Sequence, residues 1–208
     1  SMLKGMTVEY LLNRSFKVQN SHRVLFHAAA GGVGLIAGQW LKYIGAESIG
    51  TVGSDDKIKL AEDAGYDHVI NYNKSNFVEE VARITGGNGV DVAYDSVGQA
   101  TYPHTLSCLK KFGLFVSFGQ SSGIIKDIAM GDLAKNGSLY AQRPTLFDFI
   151  SSKESLKQVS ENMFKMLAEG HVKMHINQRY ALKDVPKAFE MLMARKTTGA
   201  TVFDVGRG

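Results

Sequence analysis

Two rhythms of apolar positions alternate along the chain. Six short runs are apolar at nearly every position: Arg23–Ala28, Ser48–Val52, His68–Asn71, Val90–Asp95, Gly113–Phe118 and Ser138–Gln142. Runs of this kind are expected of strands covered on both faces of a parallel sheet. Between them, Val33, Ile36, Ala37, Trp40, Leu41 and Ile44 recur at helical spacing, and Gly45 stops the pattern. Asp56–Ala64 ends at Gly65 in the same way, and Asn76–Thr85 ends at Gly86. Strand and helix alternating in this order predict βαβ units, five of the six strands being reached by helical crossovers. The expected fold is therefore α/β, with a doubly wound six-stranded parallel sheet of the Rossmann type in the order 3-2-1-4-5-6.

The pattern changes at both ends. Thr7–Leu12 reads as a short helix before the first strand and outside the core. After the sixth strand, Lys153–Glu169 places Leu156, Val159, Met163, Met166 and Leu167 on one helical face. An extended stretch (Ile176–Ala181), a helix (Lys183–Arg195) and a strand (Ala200–Val205) close the chain. These last three find no place in a six-stranded sheet and look like half of another domain. The division expected is a dinucleotide-binding domain over residues 1–170 and a C-terminal strand–helix–strand appendage over 171–208. Ser1-Met2 places a residue ahead of a start-like methionine, which suggests a cloning scar and a piece of a longer protein.

Composition narrows the function classes. Hydrophobic residues make up 44% of 208, a proportion typical of a globular domain, and no run is long enough to cross a bilayer. A single cysteine excludes an internal disulfide and a multi-thiolate zinc site within the chain. A reducing cytoplasm is then the default location. Cys108 is expected on an amphipathic helix as a buried apolar residue. The net charge of +4 is scattered and not gathered in a stripe, which speaks against nucleic-acid binding and suits an anionic small molecule.

The chemistry concentrates after the first strand, in Val24-Leu25-Phe26-His27-Ala28-Ala29-Ala30-Gly31-Gly32-Val33-Gly34. A dinucleotide fingerprint needs a small residue where the strand turns, a glycine where backbone meets pyrophosphate, and another where helix packs on strand. Ala29, Gly31 and Gly34 fit an A-x-G-x-x-G spacing. The backbone N–H groups that follow would face the phosphates, favoured by the helix dipole. An ordinary tight βα turn is the plainer alternative, but the flanking strand, helix and second strand supply the context the fingerprint requires. The end of the second strand selects the dinucleotide. An NAD site places an acid there for the ribose hydroxyls. This chain has Gly53 and Ser54 instead, followed by Asp55, Asp56 and Lys57. Glycine makes room for a 2′-phosphate and Lys57 can pair with it, so NADP(H) is expected over NAD(H). Asp55 and Asp56 read more plainly as helix-capping acids.

Several further segments carry a family resemblance: HAAAGGVG, GTVGSDDK, INY, YDSVG, VSFGQSSG and the Arg143-Pro144 pair of LYAQRPTL. In matching order from Gly5 to about Val205, they resemble the zeta-crystallin-like quinone oxidoreductases of the medium-chain dehydrogenase/reductase superfamily. The resemblance implies hydride transfer from NADPH to a quinone or a similar conjugated carbonyl, without zinc. Gly31, Gly32, Val33 and Gly34 would meet the pyrophosphate, and Gly53, Ser54, Lys57 and Tyr72 would surround the 2′-phosphate. Ser96 would lie beside the cofactor, and Phe118, Gly119 and Ser121 would line the nicotinamide side. Arg143, Thr145 and Arg195 are weaker carry-overs. The segment Leu139–Gln142 would be an edge strand that pairs with its symmetry mate in a homodimer. The family's GroES-like domain, which forms the other wall of the cleft, has no counterpart ahead of Met2. The last three elements would complete it. No catalytic acid or base is implied, because hydride transfer needs proximity and a water-poor pocket more than proton chemistry.

Two rivals and one bland alternative compete. Gly119-Gln120-Ser121-Ser122-Gly123 matches the G-x-S-x-G nucleophile elbow, with Asp132 or Asp148 and then His171 or His175 to complete a hydrolase triad. The elbow needs a helix directly after the serine, where this chain reads Gly123-Ile124-Ile125-Lys126. His171 and His175 stand four apart, a zinc spacing on a helix, but they follow the helix-stopping Gly170 and lack an acidic partner. His27 is expected as a satisfied core histidine. A fragment that binds nucleotide without turnover, or that serves a structural role, is the non-enzymatic reading.

Overall fold

The computed structural model describes residues 2–194 and 196–206. Six parallel strands form its centre: β1 (Arg23–Phe26), β2 (Glu47–Val52), β3 (His68–Asn71), β4 (Val90–Asp95), β5 (Leu109–Ser117) and β6 (Tyr140–Gln142). They run in the order β3-β2-β1-β4-β5-β6, the doubly wound arrangement expected from the alternating pattern. Side chains on successive residues of a strand point to opposite faces, and β1 shows the consequence. Val24 and Phe26 enter one hydrophobic cluster, while Leu25 enters the other. The first cluster receives α2 (Gly34–Ile44) and α3 (Ile58–Asp63); the second receives α4 (Phe77–Ile84) and α5 (Met130–Lys135).

The terminal helices belong to this core, contrary to their reading as outliers. The first helix, α1, runs from Met2 to Tyr10 and continues through a π-helical turn, Leu11–Ser15. Val8, Leu11 and Leu12 are fully buried beside Val159, Met163 and Met166 of α7 (Lys153–Ala168). Burying side chains of this size contributes about 1.5–3 kcal/mol each. Glu9, also fully buried, is met by Arg14 at 2.8 Å and by the Asn162 side-chain amide of α7 at 2.8 Å. A paired and hydrogen-bonded carboxylate of this kind ties the chain's start to α7 far along the sequence.

Element boundaries moved where the backbone turns. Ala28 adopts a left-handed φ of 58°, so β1 ends at Phe26 and not at Ala28. Ser138 does the same at 56°, and β6 begins at Tyr140. β5 starts at Leu109, four residues before the expected Gly113, because Lys110, Lys111 and Phe112 are strand residues with exposed side chains. The β4–β5 crossover is a 3-10 helix, His104–Cys108, so Cys108 ends a short tight helix and not an amphipathic α-helix. It is buried all the same, which pushes its thiol up to about 12. Beyond a short helix, α6 (Leu146–Phe149), and α7, the tail forms β7 (Ile176–Ala181), α8 (Val185–Met193) and β8 (Ala200–Asp204). β7 and β8 pair with each other in parallel as a separate two-stranded sheet.

Helix α2 comes down on the β1 turn at Gly34. A Cβ there would drive into the carbonyl groups of Ala28 and Ala29, and the Tyr66 hydroxyl donates to the Gly34 carbonyl at 2.9 Å. Backbone cannot yield as a flexible side chain can. Gly34→Ala is therefore expected to destabilise the fold by about 2 kcal/mol, read as a lower urea midpoint with an unchanged m-value.

Candidate functional site

The C-terminal ends of the parallel strands open into two cavities that meet at Ser96. The larger, about 510 Å³, lies between the β1–α2 turn and the ends of β2 and β3, lined by Gly31, Gly53, Lys57, Tyr72, Ser96 and Ser121 among others. The second, about 450 Å³, continues past Ser96 to Val33, Phe118, Arg143 and Thr145, with Lys4 and Tyr10 from α1. Lys57 lines the first cavity and Lys4 and Arg143 line the second, while among the described residues no carboxylate side chain lines either. The joined space is built for an anion.

All the expected residues but Arg195 can be placed. Gly31, Gly53, Lys57, Tyr72, Ser96 and Ser121 meet in the larger cavity, and Val33, Phe118, Arg143 and Thr145 in the smaller. Gly119 faces instead a third cavity of about 290 Å³, with Phe115, Ile124, Gln120 and Arg143. Its tight fit explains the glycine: a Cβ would meet the Ser96 backbone. Gly32 and Gly34 line none of these cavities. Gly34 serves helix packing, and Gly32 lies under the Lys4 ammonium and the Gly199 carbonyl, where a Cβ would collide with both. Ser54 is extended backbone before the 3-10 turn Asp55–Lys57. Arg195 lies outside the described residues.

The end of β2 is organised by charge. Asp55 does not cap the helix that follows it, as its sequence position suggests. Its carboxylate is held by the Lys74 ammonium and by the Asn71 side-chain amide at 2.7 Å, which lowers its pKa. Asp55, two residues past Gly53, thus spends its charge on Lys74. Gly53 is closely covered: a Cβ would stand 2.6 Å from the Tyr72 hydroxyl oxygen. Ring and glycine share a space that a side chain at 53 would fill.

Beneath the cavities lies a sealed polar network. His27 is fully buried, with Nδ1 2.9 Å from the Thr51 hydroxyl and Nε2 3.0 Å from the Thr105 hydroxyl. Asp95, also fully buried, accepts from the Thr101 hydroxyl at 2.6 Å and from the backbone N–H groups of Val97 and Gly98 at 2.7 and 2.9 Å. Those last bonds fold the turn that carries Ser96 and Val97 into the larger cavity. His27 is the satisfied core histidine that strand alternation suggests. On the smaller cavity, burial pushes the Tyr10 phenol up to about 12 while Arg143 pulls it the other way, so Tyr10 stays a neutral donor.

Sequence reasoning missed Lys4, Thr7 and Tyr10, which enter the site from α1, and Leu192, Met193 and Thr197, which enter from the tail. The helical rhythm marked α1 only from Thr7 onward, and only the folded chain brings the tail across the glycine turn. There Gly31 and Gly199 bridge, with the Gly199 N–H donating to the Ala30 carbonyl at 3.2 Å. The hydrolase reading fails on local structure: no helix follows Ser121 until Met130, and His171 lies tilted against Tyr43 at 4.1 Å with its Nε2 3.5 Å from Glu169, an acidic neighbour the sequence did not suggest.

Comparisons with known proteins agree with this geometry. The family described as zinc-binding dehydrogenase matches residues 32–168. A quinone oxidoreductase of Salmonella typhimurium is 50% identical over 97% of this chain and 62% of its own length. A 2-haloacrylate reductase of a Burkholderia species is 38% identical over 97% of this chain and 61% of its own. Among solved structures, the Escherichia coli quinone oxidoreductase complexed with NADPH superposes with a TM-score of 0.94 at 46% identity, covering 97% of this chain and 62% of that one. The chain thus spans about three-fifths of the length of these relatives. Zinc, which the family description implies, does not fit: among the described residues no group of three or more His, Cys, Asp or Glu could hold a metal ion.

His27 makes the fold sensitive to acid. Burial lowers its pKa from 6.5, and the neighbouring Asp95 charge opposes this only partly. The unfolded chain then binds a proton that the folded chain refuses, so stability is lost as pH falls below about 6.5. Urea midpoints measured between about pH 7.5 and pH 5.5 should fall more steeply for the native protein than for His27→Gln, which has no ionisable ring.

Proposed function

We propose, from the premise that the chain belongs to the zinc-binding dehydrogenase family, that it is the NADPH-binding part of a quinone-reductase-type oxidoreductase. One observation carries the reading: a cavity at the strand ends with a glycine turn, Gly53 at the β2 terminus, Lys57 and Tyr72 on one side and, among the described residues, no lining carboxylate. Both ends of the joined space suit phosphate groups. When bound, NADPH would supply the hydride; the chain's own residues hold and orient it. Gly31 and Val33 would present backbone at the pyrophosphate, with Gly32 and Gly34 letting strand, helix and tail approach. Lys57, with Gly53, Ser54 and Tyr72 around it, would take the 2′-phosphate. Ser96 stands where the two cavities join, and Ser121, Phe118, Arg143 and Thr145 would guide the nicotinamide half. Arg195 is kept as a cofactor residue on the family resemblance alone.

The acceptor would be a quinone or a similar conjugated carbonyl, and the relatives above are named for quinones and for 2-haloacrylate, a conjugated carboxylate. Residues 171–208 would form part of a second, GroES-like domain. The apolar side chains Leu182, Phe189, Leu192 and Met193 support this, since they stand exposed on the tail as a face does that awaits cover. The β6 edge, with Tyr140 and Ala141 exposed, suits strand pairing across a homodimer through Leu139–Gln142. A reducing cytoplasm remains the proposed location.

Fluorescence titration separates the cofactors. Lys57→Ala should weaken NADPH by about tenfold, the loss of a charge-assisted contact, and leave NADH unchanged. Equal binding of the two cofactors by the native chain together with a silent mutation would refute the 2′-phosphate reading.

A further inference from the structure

Lys4 is a cation that neither the glycine fingerprint nor the β2 terminus accounts for. It stands on α1, yet its Nζ reaches the β1–α2 turn and donates to the Gly199 carbonyl at 3.3 Å. The same ammonium lies against Gly32 so closely that a Cβ there could not coexist with it. Lys4 also lines the smaller cavity beside Val33 and Ser96. Among the described residues it forms no salt bridge, and Glu9, the carboxylate on its own helix, is taken by Arg14 and Asn162.

A half-buried ammonium that donates to a neutral carbonyl and, among the described residues, meets no carboxylate keeps most of its charge uncompensated. Burial accordingly lowers its pKa. The second cation of the cavity, Arg143, donates to the Pro144 carbonyl at 2.8 Å, again a neutral group. Two cations on neutral acceptors, in a space that no carboxylate of the described residues lines, leave a positive potential that an anionic ligand would relieve.

We propose that Lys4 is the residue that reads the pyrophosphate of the dinucleotide, the charge common to NADPH and NADH, as Lys57 reads the 2′-phosphate. The inference rests on the dinucleotide-binding reading and adds to it a second cation with a different target. It also assigns the Gly199 carbonyl a part: it holds the ammonium over Gly32 before any ligand arrives, so that little side-chain freedom is lost on binding.

The two lysines then differ in signature. In fluorescence titrations, Lys4→Met should weaken NADPH and NADH by the same factor, about tenfold, and Lys4→Arg should recover most of the loss. Adenosine 2′-monophosphate, which carries the 2′-phosphate without a pyrophosphate, should bind Lys4→Met as it binds the native chain, measured by calorimetry. Native affinity of Lys4→Met for both dinucleotides would overturn the inference while leaving the dinucleotide reading standing. A parallel loss of adenosine 2′-monophosphate binding would also overturn it, because Lys4 would then act by holding the loop and not by its charge. Failure of the native chain to bind either dinucleotide would sink the underlying reading and this inference together.

Discussion

The close approach of helix α2 to the end of β1 is the constraint on which the site depends. Gly34 brings the helix against the Ala28 and Ala29 carbonyls, and Ala28 accepts a left-handed backbone so that the chain can turn there. A left-handed alanine costs on the order of 1 kcal/mol, and the surrounding bonds hold it. The Ala29 N–H donates to the Thr51 carbonyl and the His27 N–H to the Tyr94 carbonyl, which lock the turn to both neighbouring strands. From that geometry follow the direction of α2, the backbone face it offers and the place where α1 and the tail can reach it.

A second layer fixes what the turn faces. Asp95 and His27 sit where β1 and β4 end, joined through Thr105 and sealed from water. Buried polar groups are tolerated only when satisfied, and here satisfaction does geometric work. Asp95 orients the β4 turn by gripping two of its backbone N–H groups, and His27 links β2 to the 3-10 helix. The cavities above inherit their floor from this network. Their charge comes from elsewhere, from side chains that approach over the rim.

Much of the architecture was legible in the sequence because each strand of a parallel sheet must be apolar on both faces. That requirement marked the strands, and the helices alternating with them gave the doubly wound order, although the edge strand β6 is itself exposed. It failed at Lys110, Lys111 and Phe112, where β5 runs beyond the covered region and its exposed side chains hide the strand. It failed again at the termini, where rhythm found α7 and part of α1 but gave no sign that the two pack on the core together. The site was legible where it is local. Gly31, Lys57, Tyr72 and Ser96 lie on motifs attached to strand ends, and they converge. Lys4, Leu192 and Met193 were invisible, since α1 and the tail arrive from the two ends of the chain. Asp55 was misread because its partner, Lys74, is on the next strand's loop.

The contact between Gly53 and Tyr72 reaches further than the present sequence. A side chain at position 53 would meet only the outer end of the tyrosine ring, so the ring and not the backbone must give way. Tyr72 lines the open cavity, and a smaller residue there would widen that cavity. The shape offered to the adenine ribose is therefore set by the pair, and a change at 53 is answered by the posture of the ring beside it.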